Sequence, residues 1–86
     1  MVNRMHPQQQ LHGEELKKLI RYRMPFGKYK GMRLVHLPEA YLAWFARKGM
    51  PRGELGMMLE SALVIRSSGL EELIRPLVNE AERMGE

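Results

Sequence analysis

Two glycines and two lysines form the part of this sequence that is best suited to binding a phosphate group. Gly27 and Gly31 bracket Lys28, Tyr29 and Lys30. Lysine binds phosphate by charge, glycine allows tight turns, and a tyrosine ring can stack on a base. A Walker A loop needs the pattern G-x-x-x-x-G-K-[ST], which is absent here. The motif therefore indicates phosphate contact without nucleotide hydrolysis. The alternative is a tight turn in which the tyrosine covers the glycines and both lysines face water.

Basic residues cluster around this motif. Residues 16–38 contain seven Lys and Arg and no acidic residue, whereas residues 39–86 contain six basic and eight acidic residues. Such clustering, together with a formal net charge of +4, is typical of proteins that bind polyanions. A solvated basic face on a small protein is the alternative interpretation. The residues predicted to bind nucleic acid are Lys17, Lys18, Arg21, Arg23, Lys28, Tyr29, Lys30 and Arg33.

Groups suited to catalysis or metal binding are scarce in this sequence. It has no cysteine and no aspartate, and its three histidines have no ligand spacing to one another. The glutamates of the second half fall at predicted helix starts or on solvent-facing positions, and no serine adjoins a histidine. We therefore predict that the protein is not an enzyme and has no metal site and no cofactor.

The length and composition indicate one small domain. The chain has 86 residues, of which 44% are hydrophobic, as is normal for a globular protein. We predict a flexible tail over residues 1–12 and a single domain over residues 13–84. No uncharged apolar run is long enough to span a membrane, and no signal-peptide pattern is present, so we expect a cytoplasmic protein without a membrane partner. Because so small a core has little stability to spare, homodimerisation is plausible.

Four helical segments and one hairpin are predicted to position the motif. Residues 14–22 and the segment from Pro38 to Lys48 have helical spacing of apolar residues. Arg47, Lys48 and Gly49 predict the end of the second helix, because basic residues in the last turn followed by glycine are typical of a helix end. A third helix follows the turn at residues 50–53. Its apolar spacing predicts a buried face made of Leu55, Met58, Leu59, Ala62 and Leu63, with Ile65 as a further candidate. A fourth begins at the S-x-x-E capping box of Ser68 and is expected to kink or divide at Pro76.

In residues 24–34, one alternating set of positions holds Phe26, Lys28, Lys30 and Met32, and the other holds Gly27, Tyr29 and Gly31. This alternation, with glycines suited to a turn, predicts a β-hairpin. The predicted fold class is therefore α+β, a short β-hairpin packed against three or four helices.

Three aromatic residues of the second helix could form a platform for stacked bases. Tyr41, Trp44 and Phe45 lie beside leucines at helical spacing, a pattern more typical of a hydrophobic core. We therefore expect Trp44 to be the largest single element of the core.

The order of these motifs resembles a known family. The runs M-P-F-G-K-Y-K-G, L-x-x-L-P-x-x-Y-L-x-W-F, G-x-P-x-G-x-L-G and S-G-L-E-x-L-I-x-P-L span residues 24–78. They resemble small uncharacterised bacterial and phage proteins that are described as quorum-sensing-regulated virulence factors. Residues 24–45 are also similar to the small C-terminal module of exodeoxyribonuclease X-type DNases. The first resemblance implies a compact α+β domain and no established activity. In the DNases of the second resemblance, the catalytic acids belong to another domain.

The sequence leads to two hypotheses about function. The first is a non-enzymatic binding module whose basic face contacts the backbone of DNA or RNA. The second is a protein–protein adaptor or regulator, acting alone or as a homodimer, with a link to virulence only through the family resemblance. Nuclease treatment of an affinity purification would separate the two hypotheses.

Overall fold

The computed structural model describes residues 14–86, and this part of the chain is all-α. Four α-helices follow one another, with a short 3-10 turn before the second: α1 at Leu16–Arg21, the 3-10 turn at Leu34–His36, α2 at Glu39–Lys48, α3 at Gly53–Ser67 and α4 at Glu71–Arg83. The four predicted helices are confirmed. The predicted α+β class is wrong, because residues 14–86 contain no β-strand. The predicted tail over residues 1–12 lies outside the described residues.

The segment predicted to be a β-hairpin is a folded turn. A single antiparallel bridge joins Arg23 to Arg33, and no further ladder forms within it. Pro25 has no N–H to donate to a second rung. Beyond it, the chain closes on itself through bonds from the Lys30 amide to the Gly27 carbonyl and from Met32 to Tyr29. The alternating sequence pattern was therefore too short to specify strands, and the β-hairpin prediction is wrong.

The hydrophobic core lies where α3 meets α1, α2 and the 3-10 turn. Its fully buried members include Ile20 of α1, Leu34 of the 3-10 turn, Leu42 of α2 and Leu59 of α3. The apolar spacing along α3 predicted this buried face. α4 packs chiefly against α1 and adds Ile74, Val78 and Ala81 to the same core.

Two helix ends illustrate how local sequence defines these elements. Gly49 ends α2 with a φ of 110°, a conformation that glycine adopts without steric cost, and its amide donates to the Phe45 carbonyl at 2.7 Å. The start of α4 differs from the prediction. Its N-cap residue is Leu70, and no side-chain capping bond forms, so the predicted capping box at Ser68 is absent.

α4 continues through Pro76 without a break. A proline inside a helix removes one backbone hydrogen bond and is costly when the helix stands alone. Here Ile74 and Val78 flank the proline and are both buried, so packing holds the helix together on either side of it. The expectation that the helix would divide at Pro76 is therefore wrong, and its alternative, a kink at Pro76, stays a prediction.

The turn at residues 50–52 makes a close backbone contact with the start of α3. Gly56 is buried in the first turns of α3, and a Cβ atom at this position would lie 1.8 Å from the carbonyl oxygen of Pro51. Gly56 has ordinary helical backbone geometry. Glycine is therefore required here by the close approach of the Pro51 carbonyl and not by a positive φ. The contact fixes how the 50–52 turn meets α3.

Candidate functional site

Residues 27–31, which we call the basic turn, are held by backbone hydrogen bonds at their base. The Gly31 amide donates to the Met24 carbonyl at 2.7 Å, and the Met24 amide donates to the Met32 carbonyl at 2.8 Å. Gly27 and Gly31 have φ values of 79° and 90°, which residues with a Cβ rarely adopt. The two glycines therefore shape the turn, as their spacing indicated.

The two lysines of the basic turn are exposed to solvent. Within residues 14–86, neither Lys28 nor Lys30 has a carboxylate partner within 4.0 Å. The Lys28 ammonium lies 5.5 Å from the centre of the Tyr29 ring, within the range of a cation–π contact. Both charges are thus available to an incoming anion.

Tyr29 connects the basic turn to the aromatic residues of α2. Its ring centre lies 4.7 Å from that of Tyr41, and the Tyr41 ring centre lies 6.5 Å from that of Trp44 with the two rings nearly parallel, at 3°. We call Tyr29, Tyr41 and Trp44 the aromatic strip. The buried Phe45 presents its ring roughly perpendicular to both α2 members, at 5.2 Å and 5.1 Å. The strip therefore packs against the core through Phe45.

Trp44 is 42% exposed, so the prediction that it is the largest core element is wrong. The broader prediction that these aromatic residues belong to the core is confirmed for Phe45, which is buried, whereas Tyr41 is half-buried. Successive residues of a helix are about 100° apart, so Trp44 lies about 100° around α2 from Phe45. Leu42 and Phe45 face the core, and this rotation carries the tryptophan out of it. The exposed tryptophan gives the strip a free aromatic surface.

A further cation adjoins the strip at the end of α2. Lys48 follows Trp44 by four residues, a spacing that places two side chains on the same side of a helix. It is exposed and has no carboxylate partner within 4.0 Å in the described part of the chain. In the sequence, Lys48 was predicted only to end the second helix; its spacing of four residues from Trp44 was the available signal for a second role.

The remaining predicted cations of α1 lie outside the basic turn. Lys18 forms an ion pair with Glu54 of α3, and the hydrogen bond and negative charge of Glu54 raise the pKa of Lys18 above its ordinary value. The Arg21 guanidinium lies 4.0 Å from a carboxylate oxygen of Glu86. Lys17 is exposed on α1. Lys18 and Arg21 therefore already have acidic partners.

Arg23 and Arg33 serve the fold. Arg23 donates to the Gly31 carbonyl at 2.9 Å and to the backbone carbonyl of Glu86 at 3.2 Å. Arg33 is only 4% exposed and donates to the Ile20 carbonyl at 3.0 Å. Since the last carbonyls of a helix lack partners within it, Arg33 satisfies one at the end of α1. Of the eight predicted residues, the structure brings Lys28, Tyr29 and Lys30 together at the turn.

Two further observations bear on the class of site. In residues 14–86, no group of three His or Glu side chains is close enough together to hold a metal ion. None of the helices in this same region is both long and apolar enough to cross a membrane. The site is thus built from lysines and aromatic rings.

Residues 14–86 thus form a small all-helical domain that presents an aromatic strip with cations at its ends. Comparison with protein families matches residues 12–77 to the family described as "Putative quorum-sensing-regulated virulence factor". The chain belongs to this family, which confirms the resemblance seen in the sequence.

Individual relatives agree with this assignment. The chain is 51% identical over 65 residues to the "Uncharacterized protein YpeB" of Escherichia coli K12, and the aligned region covers 74% of this chain and 90% of that protein. The match to the protein of the same name in Escherichia coli O157:H7 has the same values. No solved structure matches. These matches do not test the similarity of residues 24–45 to an exodeoxyribonuclease X module, which stays a prediction.

Proposed function

We propose that this protein is a non-enzymatic module that binds the backbone of nucleic acid through Lys28 and Lys30 of the basic turn. One observation carries the proposal: two exposed lysines without carboxylate partners in residues 14–86 stand on a turn next to aromatic rings. Lysines placed in this way neutralise phosphates and release the counterions that surround them.

The rigidity of the turn supports this role. Its base is closed by backbone hydrogen bonds of 2.7 Å and 2.8 Å, and the Tyr29 ring packs against Tyr41. A binding group that is already ordered loses less conformational entropy when it meets its ligand. The net charge of +4 adds a general attraction for polyanions.

The test is a fluorescence anisotropy titration of a labelled oligonucleotide at several salt concentrations. The Lys28→Gln/Lys30→Gln variant is compared with the wild type. For a single strand, losing two phosphate contacts makes the slope of log Kobs against log salt shallower by about 1.4. A matched control is Arg52→Gln/Arg83→Gln, which removes two exposed charges that, like the lysines, have no carboxylate partner within 4.0 Å in residues 14–86.

The proposal predicts a large loss of affinity for the lysine variant and only a small, nonspecific loss for the control. Equal losses in the two variants would show that only overall charge matters. Absence of binding by the wild type at low salt would also overturn the proposal.

A second candidate function, homodimerisation, is favoured by the uncovered side of α4. Leu73, Leu77 and Met84 continue the apolar arc of the helix beyond its buried residues, and Leu73 is 73% exposed. An antiparallel pair of α4 helices centred near Leu77 would cover this apolar arc in both copies at once, because a two-fold axis sets the same surface against itself.

Sedimentation velocity tests the dimer across a range of protein concentrations. We expect a dimer for the wild type and a monomer for Leu73→Glu, which buries a charge in the interface. Met57→Glu is the control, because Met57 is 65% exposed on α3. A wild type that stays monomeric at the highest concentration would exclude the dimer.

A further inference from the structure

We infer that the nucleic acid bound by this protein is single-stranded, with its bases stacked on the aromatic strip. This inference rests on the proposed function, because the basic turn supplies the phosphate contacts. It adds a second kind of contact, between base faces and the rings of α2. The chemical class of ligand is therefore an unpaired DNA or RNA segment.

The orientation of the rings is the first support. Trp44 is 42% exposed, and its plane is within 3° of that of Tyr41. Successive unpaired bases of a strand can stack with their planes parallel, so two parallel rings suit neighbouring bases of one strand. Stacking on aromatic side chains is tolerant of sequence, because every base has a π face.

The placement of charge is the second support. Lys28 and Lys30 flank Tyr29 at one end of the strip, and Lys48 follows Trp44 at the other. The rise of a helix puts Lys48 about 10 Å along α2 from Tyr41. A strand that lies along the strip therefore meets positive charge at both ends, as a backbone with a phosphate at every nucleotide requires.

A duplex would leave these rings unused. Its base faces are covered by their neighbours, and only base edges are accessible in the grooves. The basic turn could still contact a duplex backbone, but the exposed surface of Trp44 would gain no partner. The strip therefore discriminates in favour of unpaired strands.

The experiment compares a single strand with a duplex of the same sequence and length at low salt, by anisotropy. Trp44 is the only tryptophan, so its fluorescence in the unlabelled wild type reports stacking directly. We expect the single strand to bind at least about tenfold more tightly and to quench Trp44. Because stacking on one aromatic side chain contributes about 1–3 kcal/mol, we expect Trp44→Ala to lose about 5- to 150-fold in affinity for the single strand.

Controls separate the ring from the fold. Trp44→Phe keeps an aromatic face and should retain most of the affinity, and Met57→Ala removes an exposed apolar side chain from α3 without effect. If Trp44→Ala does not fold, quenching in the wild type still decides the matter. Unchanged Trp44 emission at saturation with the single strand would overturn the inference.

Other outcomes have distinct meanings. Equal affinity for single strand and duplex, with loss of both in Lys28→Gln/Lys30→Gln, would overturn the single-strand inference and leave the proposed function standing. No binding of either at low salt would overturn both. A polyglutamate peptide serves as a competitor at the same concentration of negative charge. If this peptide displaces the single strand, the surface binds any polyanion, and the inference fails.

Discussion

The rings of Tyr29 and Tyr41 meet with their centres 4.7 Å apart and join the basic turn to α2. The backbone takes part in the same contact, since a Cβ atom at Gly27 would lie 3.7 Å from the Tyr41 hydroxyl. Through this one junction the lysines of the turn and the aromatic residues of the helix become a single surface.

Removing the ring of Tyr29 should therefore loosen the turn and weaken ligand binding together. Aromatic pairs contribute about 0.5–1.5 kcal/mol beyond their buried area, so we expect Tyr29→Ala to lower the free energy of unfolding by at least about 1 kcal/mol. Tyr29→Phe keeps the ring and should behave like the wild type. Chemical denaturation and oligonucleotide titration of both variants measure the two effects. If Tyr29→Ala equals Tyr29→Phe in both measurements, the junction is unimportant.

Arg33 should be required for stability rather than for binding. It is 4% exposed and donates to the Ile20 carbonyl at 3.0 Å, so Arg33→Met leaves a carbonyl at the end of α1 without this donor. We expect a loss of about 1–3 kcal/mol in unfolding free energy, because a buried carbonyl left without a donor costs about that much. Urea denaturation measures this loss, with the exposed Arg52→Met as control. A stability equal to that of the control would contradict the structural role.

Gly56 should tolerate no side chain. A Cβ atom here would lie 1.8 Å from the Pro51 carbonyl oxygen, so Gly56→Ala must push the 50–52 turn away from α3. Overpacking of this kind costs about 1–3 kcal/mol, against the small gain in helix propensity that alanine brings elsewhere. Thermal unfolding compares this variant with Met57→Ala on the exposed side of α3. A Gly56→Ala protein as stable as wild type would show that the turn yields freely.

Lys18 should contribute to stability at neutral pH but not at strongly alkaline pH. Glu54 raises the pKa of Lys18 above its ordinary value of 10.5 through a hydrogen bond and its charge. A raised pKa stabilises the folded protein below the ordinary pKa, and this stabilisation is lost as pH rises through the raised value. We expect Lys18→Gln to be slightly less stable than wild type at pH 8, with the difference shrinking as pH rises above the ordinary pKa of 10.5. Thermal unfolding at several pH values measures it, and a difference that grows with pH would contradict the pairing.

The helices were predictable because their signals are local. Apolar spacing identified the buried face of α3, and Arg47, Lys48 and Gly49 marked the end of α2. The β-hairpin prediction for residues 24–34, which is wrong, also rested on local sequence. Alternation over a few residues is compatible with strands and with a folded turn, and backbone hydrogen bonds within the turn decided between them.

The candidate site was only partly predictable, for a different reason. The clustering of cations in the sequence does not reveal which of their side chains donate hydrogen bonds to backbone carbonyls. Arg33 is directed to Ile20 and Arg23 to the backbone of Glu86, a residue 63 positions away. Exposure of Trp44 likewise depends on how α2 is rotated over the core, and the spacing of Trp44 beside leucines indicated the core instead.

Mapping of backbone amide and indole chemical shifts by NMR tests the central claim most directly. The protein is titrated with a short single-stranded oligonucleotide at low salt. We predict the largest shifts at the amides of residues 27–31 and at the indole N–H of Trp44, with little change along α4. Shifts concentrated on α4, or none at a saturating excess of oligonucleotide, would contradict binding through the basic turn and the aromatic strip.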